Sequence, residues 1–192
     1  RLLNLEAEYT RTEQYLRNTT QAKLRLQSME TAVDEMTSIA VKMKTLLIQA
    51  CEHSSCPAEI MEFINRRFTV ISPVGEFVSM QLISIHPETH AIEYASAGHE
   101  PACILSSTGE ISESETTGLL VGIEQETSWN TICLQLNQGD RLLMLTDGVS
   151  ETHSPAGEMF GRKRLTALLQ ECQHLSVSET AEQIRSTLSR FR

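Results

Sequence analysis

The sequence predicts an α+β domain, with helices at both ends and antiparallel strands between them. Three observations carry this. Apolar residues recur at helical spacing from Met36 to Phe68, alternate from Phe77 to Leu136, and return to helical spacing after Gly161. The 192 residues suffice for one substantial domain with an appendage, and a 40% apolar content suffices for a packed core.

Residues 1–33 contain no Gly or Pro and read as one long polar helix. Leu2, Leu5, Tyr9, Leu16, Leu24 and Leu26 give only a broken apolar stripe. The stripe suits a solvated helix that packs on a partner helix and is too irregular to define a coiled coil. Residues 36–50 read as an amphipathic helix, with Met36, Ile39, Ala40, Met43, Leu46, Leu47 and Ala50 on one face. His53-Ser54-Ser55-Cys56 breaks it, and Pro57 opens a second helix at a first-turn position where its missing N–H costs nothing. Ile60, Phe63, Ile64 and Phe68 form the expected buried face of that helix.

From Phe77 the period becomes two. Val78, Met80, Leu82 and Ile85 mark a strand, Pro87–His90 a turn, and Ile92–Ala95 a returning strand. Ala102–Leu105 and the Thr108-Gly109-Glu110 turn extend an antiparallel meander. Ile132, Leu134 and Leu136 alternate as a further strand. Leu142–Leu145 then read as a buried strand ending in Thr146-Asp147-Gly148. A carboxylate at a strand end, followed by Gly, suits metal binding or chemistry. Asp-Gly is also a common turn signal, and by itself the dipeptide leaves both readings open. Leu165, Leu168 and Leu169 begin the C-terminal helices, and Ser176 and Glu179 stand at capping-box spacing before a last one with Ala181, Ile184 and Leu188.

A net charge of −9, with no basic cluster longer than Arg162-Lys163-Arg164, argues against nucleic acid as a partner. The five cysteines are odd in number and form no disulfide framework; Cys103 and Cys133 look like small core residues, and a reducing cytoplasm fits. Cys51 and Cys56 lack the second ligand pair that a zinc site needs. No apolar run reaches membrane-spanning length. The chain begins with Arg rather than Met and reads as part of a longer protein.

Three separated segments make a constellation: Tyr94-Ala95-Ser96-Ala97-Gly98-His99-Glu100-Pro101; Gly118-Leu119-Leu120-Val121-Gly122-Ile123; and Gly139-Asp140-Arg141 through Asp147-Gly148, Glu151, Gly157-Glu158 and Phe160-Gly161. Together with Pro57-Ala58-Glu59-Ile60 through Asn65, they resemble the SpoIIE/RsbU branch of the PPM (protein phosphatase 2C-like) serine/threonine phosphatases. The resemblance covers about residues 36–165. It implies an α-β-β-α sandwich of two antiparallel sheets flanked by helices. It implies hydrolysis of phosphoserine or phosphothreonine on a protein, with two Mn²⁺ or Mg²⁺ ions activating water. On this match Asp147 is a catalytic metal ligand with Gly148 beside it. His99 contacts substrate phosphate or nearby water, or is only a loop histidine bonded to backbone; Glu151 is an orienting carboxylate, or a solvated one. Met43, Leu47, Ile60, Phe63 and Ile64 lie on two helices that act as a regulatory switch. The other histidines, His86, His90, His153 and His174, read as surface residues.

The resemblance further implies a STAS-type anti-sigma-factor antagonist as substrate, in bacterial partner switching. It also implies an upstream sensor acting through the N-terminal helix, a homodimer formed by it, and a cytoplasmic setting, free or attached to a membrane-bound sensor. The division expected is a helical linker over 1–33 and a phosphatase domain over 34–192. Two family features find no match. The Asp-x-x-Gly-His-Gly motif and its strands should precede the helix at 36–50, yet Met29–Ser38 contains nothing like them, and Asp34 and Glu35 are poor substitutes. No final strand with an Asp-Asp pair appears. Either the natural protein carries a segment that this sequence omits between Val33 and Met36, or this is a degenerate relative that binds a partner without turning it over.

Overall fold

The computed structural model describes the backbone of residues 2–192 apart from 74 and 90, and side chains from residue 9 onward with the same two exceptions. The chain divides into two compact units, Arg1–Thr45 and Leu46–Arg192. No helix among the described residues is long and apolar enough to cross a membrane. His90, expected in a turn, lies outside the described residues.

The first element, α1, is a single helix from Leu2 to Cys51. The two helices expected over 1–33 and 36–50 are one. Asp34 and Glu35 are exposed and stay helical, because Asp costs only ~0.7 kcal/mol of propensity and Glu less, too little to stop a helix with no Gly or Pro. Its threonines satisfy themselves within the helix: Thr19, Thr31 and Thr37 donate to carbonyls four residues back at 2.8–3.0 Å. The buried face is shorter than the apolar spacing implies. Leu46 and Ala50 are buried and Ile39, Met43 and Leu47 half-buried, but Met36 and Ala40 are exposed, with nothing among the described residues covering them.

Helix α2 (Pro57–Ile71) has Pro in its first turn as expected, and buries Ile60, Met61, Ile64, Asn65 and Phe68. Phe63 departs from the expected core face. It is half-buried, with the Arg67 guanidinium 4.3 Å over its ring and the His53 ring at 5.2 Å. A cation over an aromatic face is compatible with partial hydration, so Phe63 need not enter the core.

The strands β1 (Met80–His86), β2 (Ala91–Ala97) and β5 (Ile132–Gln135) form one antiparallel sheet in the order β1-β2-β5. The strands β3 (Cys103–Leu105), β4 (Ile111–Glu113) and β6 (Arg141–Leu143) form a second, in the order β4-β3-β6. The expected single meander is therefore corrected to two hairpins in two sheets. The chain changes sheet at Gly98–Ala102, where Gly98 takes φ +60° and Pro101 carries no ladder donor. Val78 lies outside β1 and makes an isolated bridge to Val121. Cys133 is exposed rather than core. It lies on an edge strand opposite Glu93, while its neighbours Ile132 and Leu134 take the inward positions.

Helix α2 packs on β1 and β2. Beyond β6 come a short helix α3 (Asp147–Ser150), then α4 (Gly161–Glu171) and α5 (Val177–Phe191). Phe160, Leu165, Leu168, Leu169 and Ile184 form a core with Cys103 of β3, against which Leu143 of β6 also packs. The predicted capping box is present: Ser176 N–H donates to Glu179 at 2.7 Å and Glu179 N–H to Ser176 Oγ at 3.2 Å. Ala181 is exposed, so Ile184 and Leu188 carry the inward face of α5. Arg141 ties the layers together, donating to the carbonyls of Cys172 (2.7 Å) and Gln173 (2.8 Å) at the end of α4. The architecture is a mixed helix and antiparallel-sheet fold with helices on the outside of both sheets.

Candidate active site

Register decides which loops share one end of the sheets. Met80 opens β1 opposite Ala97, the last residue of β2. Cys103 opens β3 opposite both Glu113, the end of β4, and Leu143, the end of β6. The 98–101 turn joins β2 to β3. Ser79, the Gly98-His99-Glu100-Pro101 turn, Glu113 and the segment leaving β6 toward Asp147 therefore emerge at one end. All three sequence motifs meet there, the Gly118–Gly122 segment joining through the Ala97–Gly118 and Val78–Val121 bridges.

Asp147 is not on the strand itself. The ladder stops at Leu143, Met144 is exposed, and Asp147 is the first residue of α3. The expected buried strand through Leu145 is corrected: β6 is an edge strand among the described residues and only half-buried. Asp147 is held through its neighbours. Leu145 and Val149 pack into the core beneath α4, and buried Thr152 donates its hydroxyl to the Gly148 carbonyl at 2.7 Å. The Asp147 carboxylate is exposed. Gly148 does not make the sharp turn expected of it. It is helical, and an added Cβ would meet only Thr146 Oγ1, at 3.4 Å. The turning glycine of this region is Gly98, where a Cβ would strike the Leu120 side chain at 2.7 Å.

His99 is half-buried, and its Nδ1 lies 3.0 Å from Ser79 Oγ; the partner is a side chain, not the backbone. Glu151 caps α3 with its backbone, donating its N–H to the Asp147 carbonyl at 2.7 Å, and its side chain is exposed. Ile60 and Ile64 are buried, Leu47 and Phe63 half-buried, all within the second unit. Met43 is half-buried in the first.

Sequence reasoning missed two residues that shape this end. Arg162, in the first turn of α4, bonds the carboxylates of both Glu100 and Glu113. Burial pulls the guanidinium's pKa down, but the Glu100 hydrogen bond and charge, then Glu113, outweigh it and hold it above its ordinary range. The Glu100 carbonyl in turn accepts from Gln81. The residue after His99 is thus fixed from both sheets and from α4. Asn65 is the second. Fully buried on α2, it clamps the 122–125 turn that follows the Gly118–Gly122 motif. A polar residue amid Met61, Ile64 and Phe68 was the available signal.

Divalent ions of the implied kind need several carboxylate or carbonyl oxygens. Among the described residues no three His, Cys, Asp or Glu side chains converge. Glu100 and Glu113 are engaged by Arg162. Burial, with Glu113 next, pushes the Cys103 thiol's pKa up, leaving it a neutral core group. Asp147 supplies one candidate oxygen ligand, and the donor set present does not fit a pair of ions.

Fold and motif placement define the class: a protein phosphatase 2C-like domain. The family model for Stage II sporulation protein E (SpoIIE) matches residues 35–192, and the chain belongs to that family. The phosphoserine phosphatase RsbU of Bacillus subtilis is 28% identical over 133 residues, 69% of this chain and 39% of RsbU. Among solved structures, the SiaA PP2C domain of Pseudomonas aeruginosa superposes with TM-score 0.70 at 19% identity, covering 79% of this chain and 61% of that one. The manganese-presoaked phosphatase domain of SpoIIE from Bacillus subtilis gives 0.53 at 19% identity, covering 77% and 64%. The chain thus spans less than two thirds of each of these relatives.

Proposed function

We propose that the protein is a phosphoserine/phosphothreonine protein phosphatase acting on a regulatory phosphoprotein, in the manner named for RsbU. The observation that carries this is the meeting, at one sheet end, of the Gly98–Pro101 turn and the Thr146-Asp147-Gly148 segment. Asp147 is the catalytic carboxylate and a ligand for Mn²⁺ or Mg²⁺, with Gly148 beside it. His99, steadied by Ser79, binds a phosphate oxygen of the substrate, and Glu151 orients groups around Asp147. The substrate class proposed is a phosphorylated STAS-type anti-sigma-factor antagonist, and the setting a cytoplasmic one. The linker is residues 1–33 and the phosphatase domain 34–192; the linker takes input from an upstream sensor. The switch is the two helices themselves, α1 with Met43 and Leu47 and α2 with Ile60, Phe63 and Ile64. One ligand out of a full set is accounted for, so no step is assigned to the ions.

The test is Mn²⁺-dependent release of phosphate from a phosphoserine protein by the full-length natural protein. Asp147→Asn should abolish it. No metal-dependent release from that protein would sink the reading. A second reading, a binding module that holds a phosphoprotein without hydrolysing it, is favoured by the incomplete donor set. It predicts partner binding that Asp147→Asn leaves intact, with no Mn²⁺ taken up in calorimetric titration.

A further inference from the structure

The Gly118–Gly122 motif supplies no group to the phosphate chemistry, yet buried side chains fasten it at both ends. Gly118 bridges to Ala97, the last residue of β2, and Val121 pairs with Val78, just before β1, through backbone bonds of 2.9 and 3.0 Å. Buried Trp129 donates its indole N–H to the Leu119 carbonyl at 2.9 Å, and its ring lies so close over Gly118 that a Cβ there would meet it at 2.4 Å. At the far end the Asn65 side chain accepts the Gly122 N–H at 2.8 Å. The segment is a strap from the end of β2 to the head of β1, laid over the point where the chain leaves β2 at Gly98. Leu120 is its middle residue. A Cβ on residue 98 would lie 2.7 Å from Leu120 Cδ2 and 2.9 Å from its Cγ, with the Leu120 backbone N 3.6 Å away. Gly98, at φ +60°, thus turns left-handed directly against the leucine. The next residue is His99, whose Nδ1 lies 3.0 Å from Ser79 Oγ. Leu119, by contrast, is 52% exposed.

We propose that Leu120 is a positioning residue for His99: held by the strap, it wedges Gly98 into its left-handed turn and so aims the His99 imidazole. Close-packed atoms yield little to small displacements, so a leucine whose backbone is pinned on both sides limits where Gly98 can sit. The turn at Gly98 then sets the direction in which His99 leaves the sheet. Ser79 does not do this alone, because one hydrogen bond fixes the rotation of a ring but not the backbone that carries it. Leu120 touches no substrate and acts only through Gly98 and His99. Its part in catalysis rests on the reading of His99 as the group that binds the substrate's phosphate; the wedge itself does not.

In the 192-residue chain, the imidazole Cε1–H resonance of His99, assigned by its loss in His99→Gln, reads the ring's surroundings without any need for activity. Leu120→Ala should shift this resonance, and Leu120→Met, which keeps most of the volume, should return it close to its parent position. Leu119→Ala should leave it in place. Gly98→Ala should lower the melting temperature sharply in the parent and clearly less in Leu120→Ala, where the methyl has room and only the left-handed strain remains. In the full-length natural protein, Leu120→Ala should lower Mn²⁺-dependent phosphate release about ten-fold, and Leu120→Met should restore it to within about two-fold. A His99 resonance that ignores Leu120→Ala would overturn the proposal. So would equal damage from Gly98→Ala with and without the leucine, or undiminished release by Leu120→Ala. If the parent releases no phosphate while the resonance shifts and the two substitutions couple, the wedge stands and it is the phosphatase reading that falls.

Discussion

The buried side chain of Asn65 accepts the Gly122 backbone N–H at 2.8 Å while donating to the Glu124 and Gln125 carbonyls at 2.7 and 3.0 Å. One amide thus closes a turn 57 residues away and fixes it to α2. Because the site is fully buried, nothing replaces these bonds if the side chain is lost. Asn65→Leu should lower unfolding stability by about 2–4 kcal/mol, through three unsatisfied backbone groups. Asn65→Asp should be no better. It keeps the acceptor for Gly122 but turns carboxylate oxygen toward two carbonyls. Urea denaturation of the pair separates this clamp from simple volume loss, which would spare Asp.

Gly122 and Gly148 should respond oppositely to alanine. Gly122 has φ +97°, and a Cβ there would lie 2.7 Å from the Glu76 carbonyl oxygen and 3.0 Å from the Phe68 ring. Gly122→Ala should cost roughly 2–3 kcal/mol, combining left-handed strain with a backbone clash. Gly148 is helical with open space, so Gly148→Ala should leave the fold as stable or raise it by up to ~1 kcal/mol. Thermal melts of both variants check the contrast. Loss of phosphate release in a fully stable Gly148→Ala would assign that glycine to the site chemistry rather than to the turn.

Much of the fold was legible because its signals are local. Pro57 opening α2, the Ser176–Glu179 box and the leucines of α4 depend on neighbours within a turn or two. What was not legible depends on partners far along the chain. No local rule says that β3 leaves the sheet of β2, or that Cys133 faces out because β5 is an edge strand. Nor does any local signal say that the separate helices read over 1–33 and 36–50 join into one, since that depends on Asp34 and Glu35 finding no better partner than the helix itself. At the site, the motifs located the right sheet end, but Arg162 and Asn65 reach it through contacts 49 to 62 residues apart.

Arg162 should act as a two-handed clamp. It joins Glu100, beside His99, to Glu113 at the end of β4. All three side chains are partly solvated, so screening limits the pair energies, and Arg162→Gln should cost about 1 kcal/mol. Arg162→Lys should recover little, because a single ammonium does not span two carboxylates as a planar guanidinium does. Chemical denaturation gives the energy. Amide exchange of His99 and Glu100 gives the local effect, and should accelerate in both variants; unchanged exchange would mean that the turn is held by Gln81 alone.

Acid should weaken the fold through two carboxylates whose roles are structural. Asp140 accepts the backbone N–H groups of Asn137 and Ser107, both at 2.8 Å, pinning the start of β6 to the turn after β3. These bonds, Asn137 first, hold its carboxyl below the usual range. The hydrogen bond from Ser176 does the same for Glu179 in the α5 capping box. A carboxyl whose folded pKa is depressed adds stability in full above its unfolded pKa, about 3.9 for Asp and 4.3 for Glu, and loses it as pH falls through the folded value. Unfolding stability should therefore be flat near neutrality with respect to these groups and fall below about pH 5, most steeply below pH 4. Asp140→Asn should be less stable at pH 7, since its amide cannot accept both N–H groups through two oxygens. Its acid slope should also be shallower than that of the parent. Denaturation midpoints collected from pH 7 down to pH 3 check both; an unchanged slope would show that Asp140 titrates alike in the folded and unfolded chains.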